Sequence, residues 1–153
     1  MANRIWNERL GGVWSAAPTP LDTKMELDVK SVRRMIAHHI RLRVNGLFLA
    51  GTNGEGPWMP DRHRRKLLET AAKYAKGKML IAVQVTDNST ARIVDNMYSA
   101  LNDGADIAVI APPYFQSSGR PDIQETYIEA IHKSPLPVGV YNLENMGIKT
   151  HYL

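Results

Sequence analysis

Short apolar runs alternate along this chain with longer stretches in which apolar residues recur every three or four positions. Runs this short and continuously apolar are typical of strands buried on both faces, and the longer spacing is typical of helices. The alternation therefore predicts a parallel sheet with a crossover helix after each strand. The predicted strands cover about residues 12–17, 46–50, 79–85, 105–111 and 137–141.

The four stretches between these strands carry signals for the start and end of helices. Asp28 is a suitable N-cap for the first helix, and Gly77 is a suitable stop for the second. The predicted helices cover about residues 28–45, 60–77, 88–103 and 121–132.

The spacing of the predicted strands favours a (β/α)8 TIM barrel over a doubly wound sheet. Successive strand ends are 26 to 35 residues apart, which is the length of a βα unit. A doubly wound sheet would place a glycine-rich phosphate-binding turn after the first strand, where this chain has Pro18-Thr19-Pro20. A complete barrel takes about 250 residues. We therefore expect residues 1–153 to form one partial α/β domain, with about the first five βα units of an incomplete barrel.

Composition removes several function classes. The chain has no cysteine, which excludes a thiol nucleophile, a disulfide scaffold and a cysteine-ligated metal, and its histidines form no ligand cluster. No apolar run approaches the roughly 20 residues that cross a bilayer, so we expect a cytoplasmic protein with no membrane partner. The net charge is +4, but the basic cluster 61–66 opens a predicted helix and is typical of a solvated helix face. We expect no nucleic-acid partner.

Candidate chemistry in a βα barrel lies at the carboxyl ends of the strands. After the second strand, glycines surround Thr52 and Asn53, and they allow a tight turn whose backbone N–H groups and hydroxyl converge on a small carboxylate. An ordinary glycine turn explains this pattern equally well. Tyr141, which ends the fifth strand, would by itself be interpreted as a packing aromatic.

Taken together, five motifs resemble the dihydrodipicolinate synthase/N-acetylneuraminate lyase superfamily in order and spacing, over about residues 11–142. They are Gly12-x3-Ala16-x2-Thr19-Pro20, Gly51-Thr52-Asn53-Gly54-Glu55, Gly104-Ala105-Asp106, Pro113-Tyr114 and Tyr141-Asn142. The resemblance implies a pyruvate-type class I aldolase, a carbon–carbon lyase that acts through a Schiff base on a lysine of the sixth strand.

The resemblance also implies roles for individual residues. Thr52 and Asn53 would bind the carboxylate of a keto acid such as pyruvate, and Tyr141 would be the general acid and base. Tyr114 would reach across the interface of a homo-oligomer, and neither a cofactor nor a metal is implied. We expect Glu55 to be structural, through hydrogen bonds to the backbone of its own turn, and Thr19 to shape the first loop.

This chain departs from the family pattern at three places. Phe115 stands where many members have a second tyrosine, which interrupts a proton relay and disfavours the synthase branch. Residues 143–147 replace a usual proline and Thr-Gly pair. Lys149 follows Gly147-Ile148 as in the sixth-strand motif, but it comes only eight residues after Tyr141, which is too few for a helix and a strand.

No other lysine is predicted at the end of a strand, so the sequence lacks the amine that imine chemistry requires. Two functions stay open. The first is a lyase that in its complete form makes or breaks a C–C bond through a pyruvate-like Schiff base. The second is a non-catalytic remnant that acts as a binding or assembly piece.

Overall fold

The computed structural model describes residues 10–112 and 121–142. The strands are β1 (Trp14–Ala16), β2 (Gly46–Leu49), β3 (Leu80–Gln84), β4 (Ile107–Ile110) and β5 (Val138–Val140). The α-helices between the strands are α1 (Val29–Arg41), α2 (Asp61–Ala75), α3 (Thr90–Asn102) and α4 (Pro121–His132), and Gly56–Trp58 forms a short 3-10 helix. Each strand lies inside its predicted run, and the caps follow local chemistry: Asp28 accepts the backbone N–H of Ser31 at α1, and Ser89 accepts that of Arg92 at α3.

The five strands form one parallel sheet in the order β1-β2-β3-β4-β5. Strands that are consecutive in the chain are therefore always neighbours in the sheet. A doubly wound sheet reverses its strand order at a switch point, whereas a βα barrel adds each new strand on the same side. The sheet order confirms the prediction of a partial barrel.

The outer face of the sheet packs against the helices and forms the core. Its side chains are almost fully buried, because they alternate along each strand and all point to the helix layer. They include Leu47, Leu49, Ile81, Val83, Ala108 and Ile110. From the helix layer, α1 contributes Val32 and Ile36, and α3 contributes Ile93 and Met97.

The other face of the sheet is concave. Phe48 of β2 and Tyr141, which directly follows β5, are separated by two intervening strands, so in a flat sheet their rings would stand about 14 Å apart. Their ring centroids are only 6.1 Å apart. The sheet therefore already curves as a barrel wall does, and the carboxyl ends of β2 and β5 converge on one region.

Candidate functional site at the carboxyl edge of the sheet

The turn that follows β2 has a strained backbone. Ala50 and Glu55 both adopt left-handed conformations, with φ of 53° and 56°, which non-glycine residues rarely do. Gly54 and Gly56 lie directly against other backbone: a Cβ on Gly56 would come within 1.7 Å of the Ala50 carbonyl oxygen. Such strain at a strand end is typical of functional sites, because the surrounding structure must hold it in place.

Two hydrogen bonds join this turn to the end of β1. The Thr19 hydroxyl donates to the Gly54 carbonyl oxygen over 2.6 Å, and the Asn53 side-chain amide donates to the Ala16 carbonyl oxygen over 2.6 Å. The prediction that Thr19 shapes the first loop agrees with this contact. Asn53 has a structural task that the sequence did not reveal, since one of its amide hydrogens is already engaged.

The loop between β1 and α1 is held in place from its far end as well. Glu26 forms an ion pair with Arg62 at 3.0 Å and a 2.7 Å hydrogen bond with the buried side chain of His63, both near the start of α2. The hydrogen bond with His63, followed by that with Arg62, holds the pKa of Glu26 below its usual value. The first loop is therefore fixed at Thr19 and at Glu26, so the turn after β2 has a rigid neighbour.

The turn keeps several hydrogen-bond donors for a ligand. Thr52 and Asn53 are exposed. Within residues 10–112 and 121–142, no group accepts the backbone N–H of either residue, and none pairs with the Thr52 hydroxyl. Consecutive N–H groups in a turn form a concavity that suits an anion.

Tyr141 lies at the same edge, three strands away in the sheet. Its backbone N–H donates to the Ile110 carbonyl oxygen over 2.8 Å, which fixes the residue to the end of β4. The residue is 38% exposed, and its ring contacts Phe48. The phenol is therefore accessible beside a partly apolar wall, as a proton carrier requires.

Between the turn and the loop after β3 lies a cavity of about 210 Å³, whose lining includes Asp87 and Arg92. These two residues form an ion pair at 2.7 Å. Burial raises the pKa of Asp87, but hydrogen bonds from Arg92 and from the backbone of Asn88 outweigh it and hold the pKa below its usual 3.8. Next to this loop, the buried Thr86 hydroxyl accepts the Ala111 N–H over 2.7 Å and so fixes the end of β4.

The prediction that Glu55 hydrogen-bonds its own turn through its side chain is wrong. The residue is exposed, and its carboxylate makes no hydrogen bond to the residues that the structure describes. Only its backbone takes part, through its N–H to Thr52 and its left-handed φ. The expected hydrogen bonds are absent because an exposed carboxylate is already well solvated by water and gains little from a turn N–H.

The motif Gly104-Ala105-Asp106 is structural. The Asp106 carboxylate accepts the Ile81 N–H over 2.8 Å, and the Asp106 N–H donates to the Ile81 carbonyl oxygen over 2.8 Å. These bonds join the start of β4 to β3, at the opposite end of the strands from Tyr141. Gly104 has a φ of 96° and lies against Ala72 of α2, where a side chain would not fit.

Several predicted residues lie outside the described residues, namely Tyr114, Phe115 and Lys149. No lysine of the described ranges lies at the end of a strand on the concave face; Lys78, for instance, precedes β3 at the wrong end. The same ranges contain no group of three or more metal-ligating side chains. Nor does any helix there have the length and apolarity needed to cross a membrane.

A parallel sheet in barrel order, with a glycine-rich turn after β2 and a tyrosine after β5 at one edge, defines the class of βα-barrel proteins whose site lies at the carboxyl end of the strands. Within that class, this chain belongs to the dihydrodipicolinate synthetase family, whose model matches residues 9–150. The resemblance seen in the sequence motifs is thus confirmed.

Two relatives illustrate the range of the family. The chain is 28% identical over 148 residues to the 4-hydroxy-tetrahydrodipicolinate synthase of Protochlamydia amoebophila, with 94% of this chain and 49% of that protein covered. It is 31% identical over 134 residues to a protein of Coccidioides immitis provisionally named as a mitochondrial 4-hydroxy-2-oxoglutarate aldolase, with 86% and 43% covered. The chain spans about half the length of the curated relatives it matches.

Solved structures support the fold independently. Dihydrodipicolinate synthase from Aquifex aeolicus superimposes with a TM-score of 0.83 at 23% identity, over 92% of this chain and 50% of that one. YagE of E. coli K12, a prophage protein of the same family solved in complex with pyruvate, gives a TM-score of 0.81 at 20% identity, over 88% and 45%. At these identities the likeness establishes the fold alone, which is part of a TIM barrel.

Proposed function

We propose that this chain carries the keto-acid-binding and proton-transfer parts of a pyruvate-type class I aldolase, and that its complete form makes or breaks a C–C bond through a Schiff base. The observation that carries the proposal is the convergence at one sheet edge of a turn with unengaged N–H donors and an accessible phenol. YagE, which shares the fold, was solved with pyruvate bound.

In this proposal Thr52 and Asn53 hold the carboxylate of the keto acid. The negative charge would be stabilised by the two backbone N–H groups and the Thr52 hydroxyl, since hydrogen bonds to an ionised acceptor are roughly twice as strong as neutral ones. The remaining amide hydrogen of Asn53 is a further donor. The tethers to Ala16 and Thr19 support this assignment, because they hold the donors in place before the ligand arrives.

Tyr141 moves the proton in this proposal. Formation and cleavage of a C–C bond next to an imine require a proton to be delivered to, and taken from, an oxygen of the substrate. Tyr141 has the required transferable proton, and its exposure and its position beside Phe48 support the assignment. The interface role of Tyr114 in a homo-oligomer also remains a proposal, which rests on the family resemblance alone.

The described residues supply no amine nucleophile, because none of their lysines is placed to attack a keto acid held by the turn. That observation favours a second candidate function, a segment that binds the keto acid without catalysis. Trapping with pyruvate and borohydride, followed by mass measurement, separates the two. A stoichiometric adduct supports the aldolase, and unmodified mass together with pyruvate binding supports the binding segment.

Pyruvate binding is tested by titration of the ¹⁵N-labelled chain, followed through the amide signals of the turn. We expect the signals of Thr52 and Asn53 to shift in a saturable way. Thr52→Val removes one hydrogen bond to a charged group, worth about 1.5–3 kcal/mol, and should weaken binding by about 10- to 150-fold. Thr23→Val is the matched control, since Thr23 is exposed in the first loop and outside the turn. A wild-type turn that does not respond to pyruvate would refute the proposed site.

A further inference from the structure

Phe48 is an aromatic residue of β2 that belongs to none of the sequence motifs. It pairs in register with Ala82 of β3, and its side chain faces the concave side of the sheet, because its neighbours Leu47 and Leu49 face the helices. Its ring lies against the turn: a Cβ on Gly51 would come within 2.7 Å of Phe48 Cε1. Glycine at position 51 therefore allows the turn to pass directly over this ring.

The same ring also contacts Tyr141. The two centroids are 6.1 Å apart and the ring planes are tilted by 49°, which lies within the roughly 4.5–7 Å at which aromatic pairs attract each other. The Tyr141 backbone is fixed by its hydrogen bond to Ile110, but the residue is more than one-third exposed. Among the described residues, Phe48 is the aromatic residue whose ring contacts Tyr141, and this contact can orient the phenol.

We propose that Phe48 is a positioning residue that sets the distance between the phenol of Tyr141 and the turn at Thr52. This inference rests on the proposed function, because a fixed phenol matters only if it exchanges a proton with a ligand held by the turn. Proton transfer requires the heavy atoms to approach within about 2.6–3.2 Å, and a tyrosine that changes rotamer loses that approach. Phe48 acts through Tyr141, because the turn itself is held independently by the hydrogen bonds of Thr19 to Gly54 and of Asn53 to Ala16.

Aromatic and amide NMR spectra of the full chain, with and without pyruvate, test this role. In the wild type we expect cross-relaxation between the ring protons of Phe48 and Tyr141, and a response to pyruvate at both Thr52 and Tyr141. In Phe48→Ala, the Thr52 amide should keep its pyruvate affinity while the Tyr141 ring signals lose their response. Phe48→Leu, which fills part of the space, should give an intermediate response. If Phe48 had a purely structural role, its replacement would change the pyruvate responses of the Thr52 amide and the Tyr141 ring together.

Ile36→Ala is the control for a general loss of stability. Ile36 is fully buried between α1 and the outer face of the sheet, so its truncation destabilises the fold without a change at the concave face. We expect its Tyr141 response to match the wild type. If Phe48→Ala does not fold, the same comparison is made with Phe48→Leu. An unchanged Tyr141 response in the Phe48 variants overturns the positioning role alone, whereas a wild-type chain without any response at Thr52 overturns the proposed function.

Discussion

Replacing Thr19 with valine removes one of the two hydrogen bonds that join the end of β1 to the turn after β2, with almost no change in side-chain volume. The lost bond runs from the Thr19 hydroxyl to the Gly54 carbonyl oxygen over 2.6 Å. The second bond, from Asn53 to Ala16, remains. The variant therefore measures how much the order of the turn depends on the first loop.

The size of the effect follows from the local environment. A neutral hydrogen bond contributes about 0.5–1.5 kcal/mol net. Gly54 is buried, so water does not readily replace the lost donor, and we expect the free energy of unfolding to fall by about 1 kcal/mol. The left-handed conformations of Ala50 and Glu55 cost about 1–3 kcal/mol each, so a less restrained turn relaxes away from the binding geometry. Apparent pyruvate affinity should then fall by roughly two- to tenfold.

Two measurements check this prediction: urea unfolding for stability, and the pyruvate titration of the turn amides for affinity. Thr23→Val is again the control, because Thr23 lies in the same loop and its hydroxyl has no partner among the described residues. A Thr19→Val chain with both the stability and the affinity of the wild type would show that the turn holds its shape without the loop. The left-handed conformations of Ala50 and Glu55 would then be held in place by the Asn53 hydrogen bond and the glycines alone.

Three further predictions concern single residues. In a complete barrel that carries this segment, Tyr141→Phe should lower turnover by about 100- to 10,000-fold and leave keto-acid affinity unchanged, and normal turnover would place the proton carrier elsewhere. Thr86→Val leaves the buried N–H of Ala111 without its acceptor and should cost about 1–3 kcal/mol in urea unfolding; a loss within experimental error contradicts this reasoning. The depressed pKa of Asp87 means that its ion pair stabilises the fold above its usual pKa of 3.8 and is lost as the pH falls further. Asp87→Asn should therefore make unfolding less sensitive to acid in that range, and an unchanged acid response would assign the sensitivity to other carboxylates.

Elements of the fold were predictable because their signals are local. Asp28 caps α1 as predicted, since the carboxylate of an aspartate one residue before an apolar-periodic stretch can accept a backbone N–H of the first helical turn. The barrel order followed from the spacing of the apolar runs, because a strand, a loop and a crossover helix require about 30 residues. Neither inference needed a contact between distant parts of the chain.

Parts of the site were not predictable, because they depend on contacts between residues that are far apart in the chain. The contact between Phe48 and Tyr141 depends on the curvature of a four-strand span, and curvature is a property of the whole sheet. The tether from Asn53 to Ala16 joins residues 37 positions apart. Alternation along β2 could have indicated that Phe48 faces away from Leu47 and Leu49, but it could not have indicated what Phe48 meets there.

The ion pairs show how the charges of the basic cluster 61–66 are neutralised, which the net charge alone does not show. Its arginines and its lysine are paired with acids from three parts of the chain. The pairs are Arg62 with Glu26, Arg64 with Asp61, Arg65 with Asp103 and Lys66 with Glu69. The pairs of Arg62 and Lys66 are exposed on both sides and contribute little to stability individually, whereas Arg65 pairs with the buried carboxylate of Asp103. The pair of Arg62 with Glu26 differs in consequence, because it also fixes the loop that carries Thr19.

In the proposed function, recognition of a keto acid at the carboxyl edge would be separable from its activation. The donors of the turn, the tethers from β1 and the phenol of Tyr141 are in place within the described residues, and none of them depends on a lysine. If the Thr52 amide responds to pyruvate while borohydride leaves the mass unchanged, recognition is complete without an amine. No lysine within residues 10–112 and 121–142 lies at a strand end on the concave face. If an adduct forms, its amine must therefore come from a residue outside these two ranges. Digestion of the adduct and identification of the modified lysine would then decide whether Lys149, which the strand spacing excludes, acts after all.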